Sequence, residues 1–421
     1  MESEIGPHSA VVVGGGIVGT ACALGLAARG YATTLVDPVA VRRAASWGNA
    51  GHIATEQVEP LASAAAIRSF PRRLFWRGGA LGLPIGGMGT WLPFSLRLIA
   101  ASRPARFAAG KAALAGALAE SMGAWRRLLA SAAAPDLLVE EGHFIVWQTA
   151  EAFRKGRAHW QAADTGTAAF RDAGPEELDR LASLTGRTPA GAIRFLGTGH
   201  IADLDRLAAA LDASLERSGG RQVCAGVRTL DLEGHRISVR LDSGETLTPE
   251  VVVVAAGIGS GRLLRPLGYK VPIVAERGYH LQSASTDWPV DVPPIVFEDR
   301  SMIATRFTSG LRIASFVEFA RPESAPDRRK WDRLRRHAAE LGIRLPEPVT
   351  KWMGARPTFP DYLPAIGRSE IAGNLFYAFG HQHLGLTLAA ITGEALGALA
   401  TGQDPPIDLT AFDLERFRKR F

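Results

Sequence analysis

The segment that most constrains this chain is Val11-Val-Val-Gly-Gly-Gly-Ile-Val-Gly19, with an acidic residue at Asp37. Three β-branched residues run into Gly14, Gly16 and Gly19, the spacing G-x-G-x-x-G. A small-residue stretch of helical character follows from Thr20 to Arg29, then a second apolar run, Tyr31 to Val36, that ends at the carboxylate. Each part has a physical job. Gly14 permits a tight strand-to-helix turn, Gly16 lets the backbone approach a pyrophosphate, and Gly19 lets the helix lie close on the sheet. The helix N-terminus offers N–H groups and a positive dipole end to phosphates. Asp37, roughly 20 residues further on, is placed to accept from a ribose hydroxyl and disfavours a 2′-phosphate, which points to FAD or NAD rather than NADP.

The rest of the composition narrows the class. A length of 421 residues allows two or three domains, or one large α/β unit with an inserted second domain. Apolar residues at 47% are enough for a sizeable core. The net charge of +6 comes mostly from arginines spread along the chain, which reads as solvated surface. The exception is the run Arg416-Phe-Arg-Lys-Arg-Phe421, which offers a weak foothold on an anionic membrane surface, although a solvated helix end is the commoner reading. Zinc-finger spacing and basic-aromatic stripes are absent, so no nucleic-acid partner is expected. The only cysteines, Cys22 and Cys224, sit in apolar surroundings and suggest no disulfide framework. The N-terminus lacks a basic region and cleavage site, and the expected compartment is the cytoplasm. Residues 80–100 are apolar but interrupted by Gly82, Pro84, Gly86, Gly87, Gly89 and Pro93, too broken for a spanning helix. They suit a cap or loop at a substrate entrance.

Along the chain, the signals imply interleaved domains. Residues 105–134 read as a helix, Gly142–Thr149 as a strand and 150–187 as helical, with Pro175-Glu-Glu-Leu-Asp179 as a helix start. Asp203 or Asp205 can cap a helix over Leu204–Arg217, which Gly219-Gly220 ends. A short strand, a hairpin and the apolar run Pro249–Gly257 follow, the last as expected of a parallel strand buried on both faces. A charged helix over Arg328–Leu341, a strand over Asn374–Phe379 and an apolar helix to about Leu399 complete the pattern. The expected division is a Rossmann-like cofactor domain in three parts (1–90, 196–271 and 351–421) and a mixed α+β substrate domain in two (91–195 and 272–350).

Five ordered segments resemble the D-amino-acid oxidase-like superfamily of FAD-dependent oxidoreductases, the bacterial D-amino acid dehydrogenases most of all. They are the N-terminal glycine turn, Ala45-Ser-Trp-Gly-Asn-Ala-Gly-His52, Val254-Ala-Ala-Gly257, Pro272-Ile-Val-Ala-Glu-Arg-Gly-Tyr-His280, and Lys351–Pro357 with Pro360-Asp361 and the Gly380–Thr387 turn. The resemblance implies FAD as cofactor. Arg356 matches the family's carboxylate-binding arginine, whose planar fork can hold a carboxylate by two parallel bonds. The helix turn with Gly380, Gly385 and Thr387 would face the flavin, Thr387 either contributing there or capping the helix. Ser46, Asn49, Gly51 and His52 occupy the loop that runs beside the pyrophosphate and isoalloxazine in relatives. Val223 matches the residue whose backbone meets the adenine, and Gly257 again brings backbone close to the ligand. Tyr279 and His280 match a strand edge facing the substrate. His381 and His383 lack neighbouring carboxylates in sequence, so no metal is expected, and His383 is placed near the flavin.

Two departures bear on the tether. Relatives that attach flavin through histidine carry it where this chain has Gly48. Those that attach it through cysteine carry it shortly before the Pro-Asp segment, where this chain has none between Lys351 and Asp361. The flavin is therefore expected to be noncovalent. The resemblance implies oxidation of the Cα–N bond of a D-amino acid, with D-proline and 4-hydroxy-D-proline as leading candidates and a quinone-type electron acceptor. The alternatives are a sarcosine- or glycine-type oxidase using oxygen, and a non-catalytic FAD-binding protein.

Overall fold

The computed structural model describes residues 8–39 and 44–418. Strand β1 (Ser9–Val13) lies between β2 (Ala32–Asp37) and the strand Val251–Val254, all parallel, with Val12 opposite both Leu35 and Val253. Arg221–Cys224 adds outside β2 and Leu375–Phe379 outside 251–254, also parallel, while Ala365–Arg368 closes the far edge antiparallel. Helix α1 (Ile17–Ala27) and the helix Gly385–Ala400 pack with Ala10, Val12, Val251 and Val253 on one face. An antiparallel sheet of Val227–Glu233, Arg236–Leu241 and Thr246–Leu247 covers Val11, Val13, Val252 and Val254 on the other. Burial on both faces explains why these strands are continuous apolar runs rather than alternating ones.

The small residues of α1 serve its packing. A Cβ at Gly25 would stand 2.2 Å from Gly393 O, and one at Gly393 would stand 2.4 Å from Ala21 O, so the two helices touch backbone to backbone. The segment Gln382–Ala400 is long and apolar enough to cross a membrane, but most of it is buried here against α1 and the sheet. It is a core helix.

The second large sheet runs Val349–Thr358, Val274–Ser283, Gly310–Phe319, Met302–Phe307, Ile295–Phe297, His143–Trp147, Gly191–Leu196 and Ala169–Asp172, with Leu81–Gly82 pairing beside 310–319. A fourth, small sheet joins His52–Ile53, Gly199–Ile201 and Leu138–Val139, and so ties the loop after β2 to the second domain. The helices α2 (Ala64–Arg73), α3 (Met88–Ala101) and α4 (Pro104–Ser131) connect the two regions.

Several expectations need adjusting. The strand 349–358 belongs wholly to the second large sheet, so a division at 350/351 would cut it; hydrogen bonding to 274–283, not the glycine motif beyond it, decides its place. The stretch 150–187 is two helices, Ala150–Ala162 and Pro175–Thr185, separated by the edge strand Ala169–Asp172. Pro93 does not break 88–101; it stands in the second turn of that helix. Arg416 is no free foothold: it pairs with Asp361 at 2.7 Å, donates to Leu363 O, and lies over the rings of Phe359 and Phe417. Arg418 faces Glu415 at 3.3 Å, and residues 419–421 of that run lie outside the described residues.

Candidate active site

The glycine turn has a geometry that suits a phosphate. Gly14 has φ +116°, and a Cβ there would meet Ala255 O at 2.5 Å; one at Gly19 would meet Gly14 O at 1.9 Å. Both positions therefore require glycine for the fold itself. Gly16 differs: its Cβ would stand 3.4 Å from Ala44 Cβ and Ser46 Oγ, open to the side on which α1 begins. The first turn of α1 holds no acidic residue, and its N-cap, Gly16, supplies no side-chain cap. Ser46 Oγ accepts from Ile17 N at 3.0 Å, and Asp37 Oδ2 accepts from Gly15 N at 2.7 Å. Val223, paired with Val36, lies beside the Asp37 end of β2. Asn49 Oδ1 accepts from Gly51 N at 2.8 Å, and Asn49 O accepts from Arg312. Gly257 opens the short turn after 251–254. These residues suit the pyrophosphate and ribose of FAD, the first by donors and a positive helix end, the second by a carboxylate.

A cavity of about 990 Å³ lies between that loop and the second large sheet. Arg356, His52, His383, Glu276, Trp352 and Tyr362 line it, together with apolar groups from α2, α3 and the strand 310–319. Arg356 and Glu276 are register partners on adjacent strands. Arg356 Nη1 sits 3.4 Å from Glu276 Oε1 and donates to Phe316 O at 3.2 Å, whereas no protein group among the described residues takes its Nε or Nη2. One edge of the guanidinium is anchored and the other is open. Gly278 makes room for this side chain, since a Cβ there would stand 2.3 Å from Nη2. Glu276 also accepts from Thr358 Oγ1 and Tyr362 OH, each at 3.2 Å. Phe316 has φ +71° where the ladder between 274–283 and 310–319 slips, and the bulge turns its carbonyl to Arg356. Such a conformation in a bulky residue costs about 1–3 kcal/mol and persists where surroundings enforce it.

Burial keeps the imidazoles uncharged. His383, whose Nε2 lies 2.6 Å from Gln57 Oε1, has its pKa lowered to about 3 by burial first, then by Arg356 and His52. His52 is lowered to about 3 by burial and by His200. Glu56, 3.8 Å from His52 Nε2, is pushed up to about 8 by burial, so it is a neutral acid at pH 7. Among the described residues His52, Glu56 and His143 form one trio whose ligand-type atoms lie within 4.8 Å of one another. The His381–His383 pair does not converge: His381 Nε2 reaches Thr392 Oγ1 at 3.1 Å, away from the Gln57 partner of His383.

Three expected contacts take other places. Tyr279 is on the cavity wall, but its hydroxyl is committed to Glu318 and Arg277, in a buried network with Lys330 that ties the strand to the helix Arg328–Glu340. His280 is not among the lining residues; its Nδ1 lies 3.0 Å from Gly48 O and its ring stacks on Trp352, 5.0 Å between centroids. It supports the loop. Thr387 does not cap its helix: its Oγ1 accepts from Ala54 N at 3.0 Å, and the residue is buried. Gly380 ends the strand 375–379, and Gly385 opens the helix, whose first turn again lacks acid. Glu276, Glu56, Gln57, Trp352 and Tyr362 carry no signal of their own in the sequence. Glu276 was legible only through its place inside the Pro272–His280 motif.

Comparison with known proteins agrees with this architecture. Residues 9–399 match the family model described as FAD dependent oxidoreductase. A D-amino-acid oxidase of Bradyrhizobium diazoefficiens is 30% identical, over 98% of this chain and 99% of the relative. A D-amino acid dehydrogenase 2 of Ralstonia nicotianae is 29% identical, over 96% of this chain and 99% of the relative. Among solved structures, glycine oxidase from Geobacillus kaustophilus superposes with a TM-score of 0.71 at 20% identity, covering 97% of this chain and 98% of that one.

Proposed function

Because this chain belongs to the FAD dependent oxidoreductase family, we propose that it oxidises the Cα–N bond of a D-amino acid to the imino acid, which water hydrolyses. The observation that carries this reading is Arg356, with Nη1 anchored by Glu276 and Phe316 O and the Nε–Nη2 edge open to the cavity. That edge has the spacing of a carboxylate and takes it by two parallel bonds, which fixes the orientation of Cα. Arg73 and Arg77 on the cavity wall add positive potential for an acid. His383 and His52 add imidazoles held neutral by burial, so the amine side of the substrate meets no further cation there. When bound, FAD supplies the acceptor for the hydride that leaves Cα; the protein supplies position and exclusion of water. Phe94, Phe316, Phe319 and Trp91 make the remaining wall apolar, which supports an apolar side chain, with D-proline and 4-hydroxy-D-proline as leading candidates.

The flavin is held noncovalently in this reading. The position of a histidine tether is Gly48, where Trp352 lies so close that a Cβ would stand 2.3 Å from its ring. We take the acceptor to be a quinone and the site of action to be the cytoplasmic side of a membrane, supported by the relative named a dehydrogenase. The relative named an oxidase supports oxygen as the alternative acceptor. Reoxidation of substrate-reduced enzyme decides between them: rapid stoichiometric hydrogen peroxide in air makes it an oxidase, and rapid turnover only with a soluble quinone makes it a dehydrogenase. The clamp is tested by Arg356→Lys, which keeps charge but loses the fork. Catalytic efficiency is expected to fall roughly 10- to 100-fold, the worth of one charge-assisted bond at about 1.5–3 kcal/mol. Unchanged kinetics would sink the assignment.

A further inference from the structure

The cover of the cavity has a composition unlike the rest of the molecule. Helix α2 buries none of its residues, and α3 buries only Phe94 and Ala101. Eight of the twelve exposed large apolar side chains among the described residues fall in residues 61–99. Ile85 is 87% exposed, Trp76 71% and Leu96 63%, and Met88, Leu92 and Ile99 are close to half exposed. Met88, Leu92, Leu96 and Ile99 recur at the four- and three-residue spacing of one helix face, which turns away from the core contact made by Phe94. A side-by-side stripe of this kind is unusual on a monomer's surface unless something covers it.

Charge says what covers it. Residues 60–119 contain seven arginines, one lysine and no aspartate or glutamate. The whole chain carries +6 and this stretch alone +8, so the remainder is net acidic. Arg68, Arg72, Arg73, Arg77, Arg97 and Arg103 are all exposed, on and beside the two helices. A second copy laid two-fold on this face would set those arginines against their own images with no acid in the stretch to answer them. An anionic bilayer answers them all: apolar groups enter the interface while cations remain at the headgroups, the pattern of a helix that lies in the membrane plane. The same elements frame the cavity, because Phe70, Arg73, Arg77, Leu98 and Ile99 line it along with Arg356 and His383.

We propose that the surface made by α2, the turn Phe75–Arg77 and α3 docks on an anionic lipid bilayer, with the mouth of the Arg356 cavity turned to the membrane. This deepens the quinone-acceptor reading and rests on it for purpose, but the docking itself can be measured without it. The test is co-sedimentation of the FAD-loaded enzyme with vesicles of phosphatidylcholine alone or mixed with phosphatidylglycerol, at low and high salt. Binding at least tenfold stronger to the mixed vesicles, and weakened by salt, supports the proposal. The variants Ile85→Ser/Leu96→Ser and Arg97→Gln/Arg103→Gln, none of which lines the cavity, are expected to lose at least tenfold in vesicle binding. Their flavin content and turnover with a soluble artificial acceptor should stay at the wild-type level. Equal binding to both vesicle types, no binding, or undiminished binding by both variants would overturn it. So would a dimer, seen by light scattering, that these variants dissolve. Docking without oxidation of any amino acid would fault the functional reading and leave the surface standing; oxidation without docking would fault the surface alone.

Discussion

Around Gly14 and Gly19 the chain packs backbone on backbone, whereas across the cavity α2 contributes no buried residue at all. The first region is shaped by close backbone contacts, and its tolerances are fractions of an ångström. The second only has to cover a cavity and meet a surface, and its side chains are chosen by polarity rather than fit. The contrast implies that substitutions of equal chemical size have very different costs on the two sides.

The sharpest way to break that contrast is Gly19→Ala. The added Cβ would lie 1.9 Å from Gly14 O, and the expected loss is about 4 kcal/mol or more, read as failure to recover folded protein. Gly16→Ala has room in the fold at 3.4 Å, so it should fold and instead release flavin more easily, roughly tenfold or more if a phosphate bond is lost. Identical behaviour of the two would deny that Gly16 serves the ligand.

Acid comes next. His52, His280, His381 and His383 are each lowered to about 3 by burial, from 6.5. Between those values the unfolded chain binds more protons than the folded one, so stability is lost as pH falls through the window, by several kcal/mol on the order expected for linked groups. Urea unfolding at pH 7 and pH 4.5 measures it; equal midpoints would mean that these rings are solvated.

Glu56 works in the opposite sense. Its folded pKa of about 8 exceeds the ordinary 4.5, so wild-type stability falls as pH rises from 4.5 to 8. Glu56→Gln keeps the neutral shape and should be more stable than wild type at pH 8, by a few kcal/mol, since each tenfold change in proton affinity is worth about 1.4 kcal/mol. Near pH 4 the two should be indistinguishable. A variant less stable than wild type at both pH values would indicate a paired carboxylate. On the loose side, Leu96→Ser should move the unfolding free energy by no more than about 0.5 kcal/mol. A larger loss would mean that the exposed stripe is packed in solution.

The same contrast explains what could be read in advance. The glycine turn, α1 and β2 were legible because their signals are local: period, turn residues and an acid at fixed spacing. Arg356 was legible as a matched motif, but its anchoring was not, since Glu276 stands 80 residues earlier and meets it only through strand pairing. Phe316 gives no signal, because a bulge depends on the register of two strands rather than on either one. For Tyr279 and His280 a strand edge leaves a packed role and a contact equally open, because it says nothing about which hydroxyl or ring is already spoken for: Tyr279 lines the cavity with its hydroxyl on Glu318, and His280 sits behind it on Gly48 O. In the cover, the run of arginines without acids is plain in the sequence, and only burial reveals which apolar residues between them face outward.

The most direct test of the account is anaerobic titration of the purified yellow enzyme with D-proline, L-proline, sarcosine and pyrrolidine, following the visible absorbance of the flavin. The proposed D-amino acid reading predicts that D-proline bleaches the flavin while L-proline and sarcosine leave it oxidised, and Arg356 with its open edge predicts that pyrrolidine, which lacks the carboxylate, leaves it oxidised as well. Bleaching by pyrrolidine as readily as by D-proline would contradict the carboxylate clamp, and bleaching by L-proline or sarcosine alone would contradict the D-amino acid assignment.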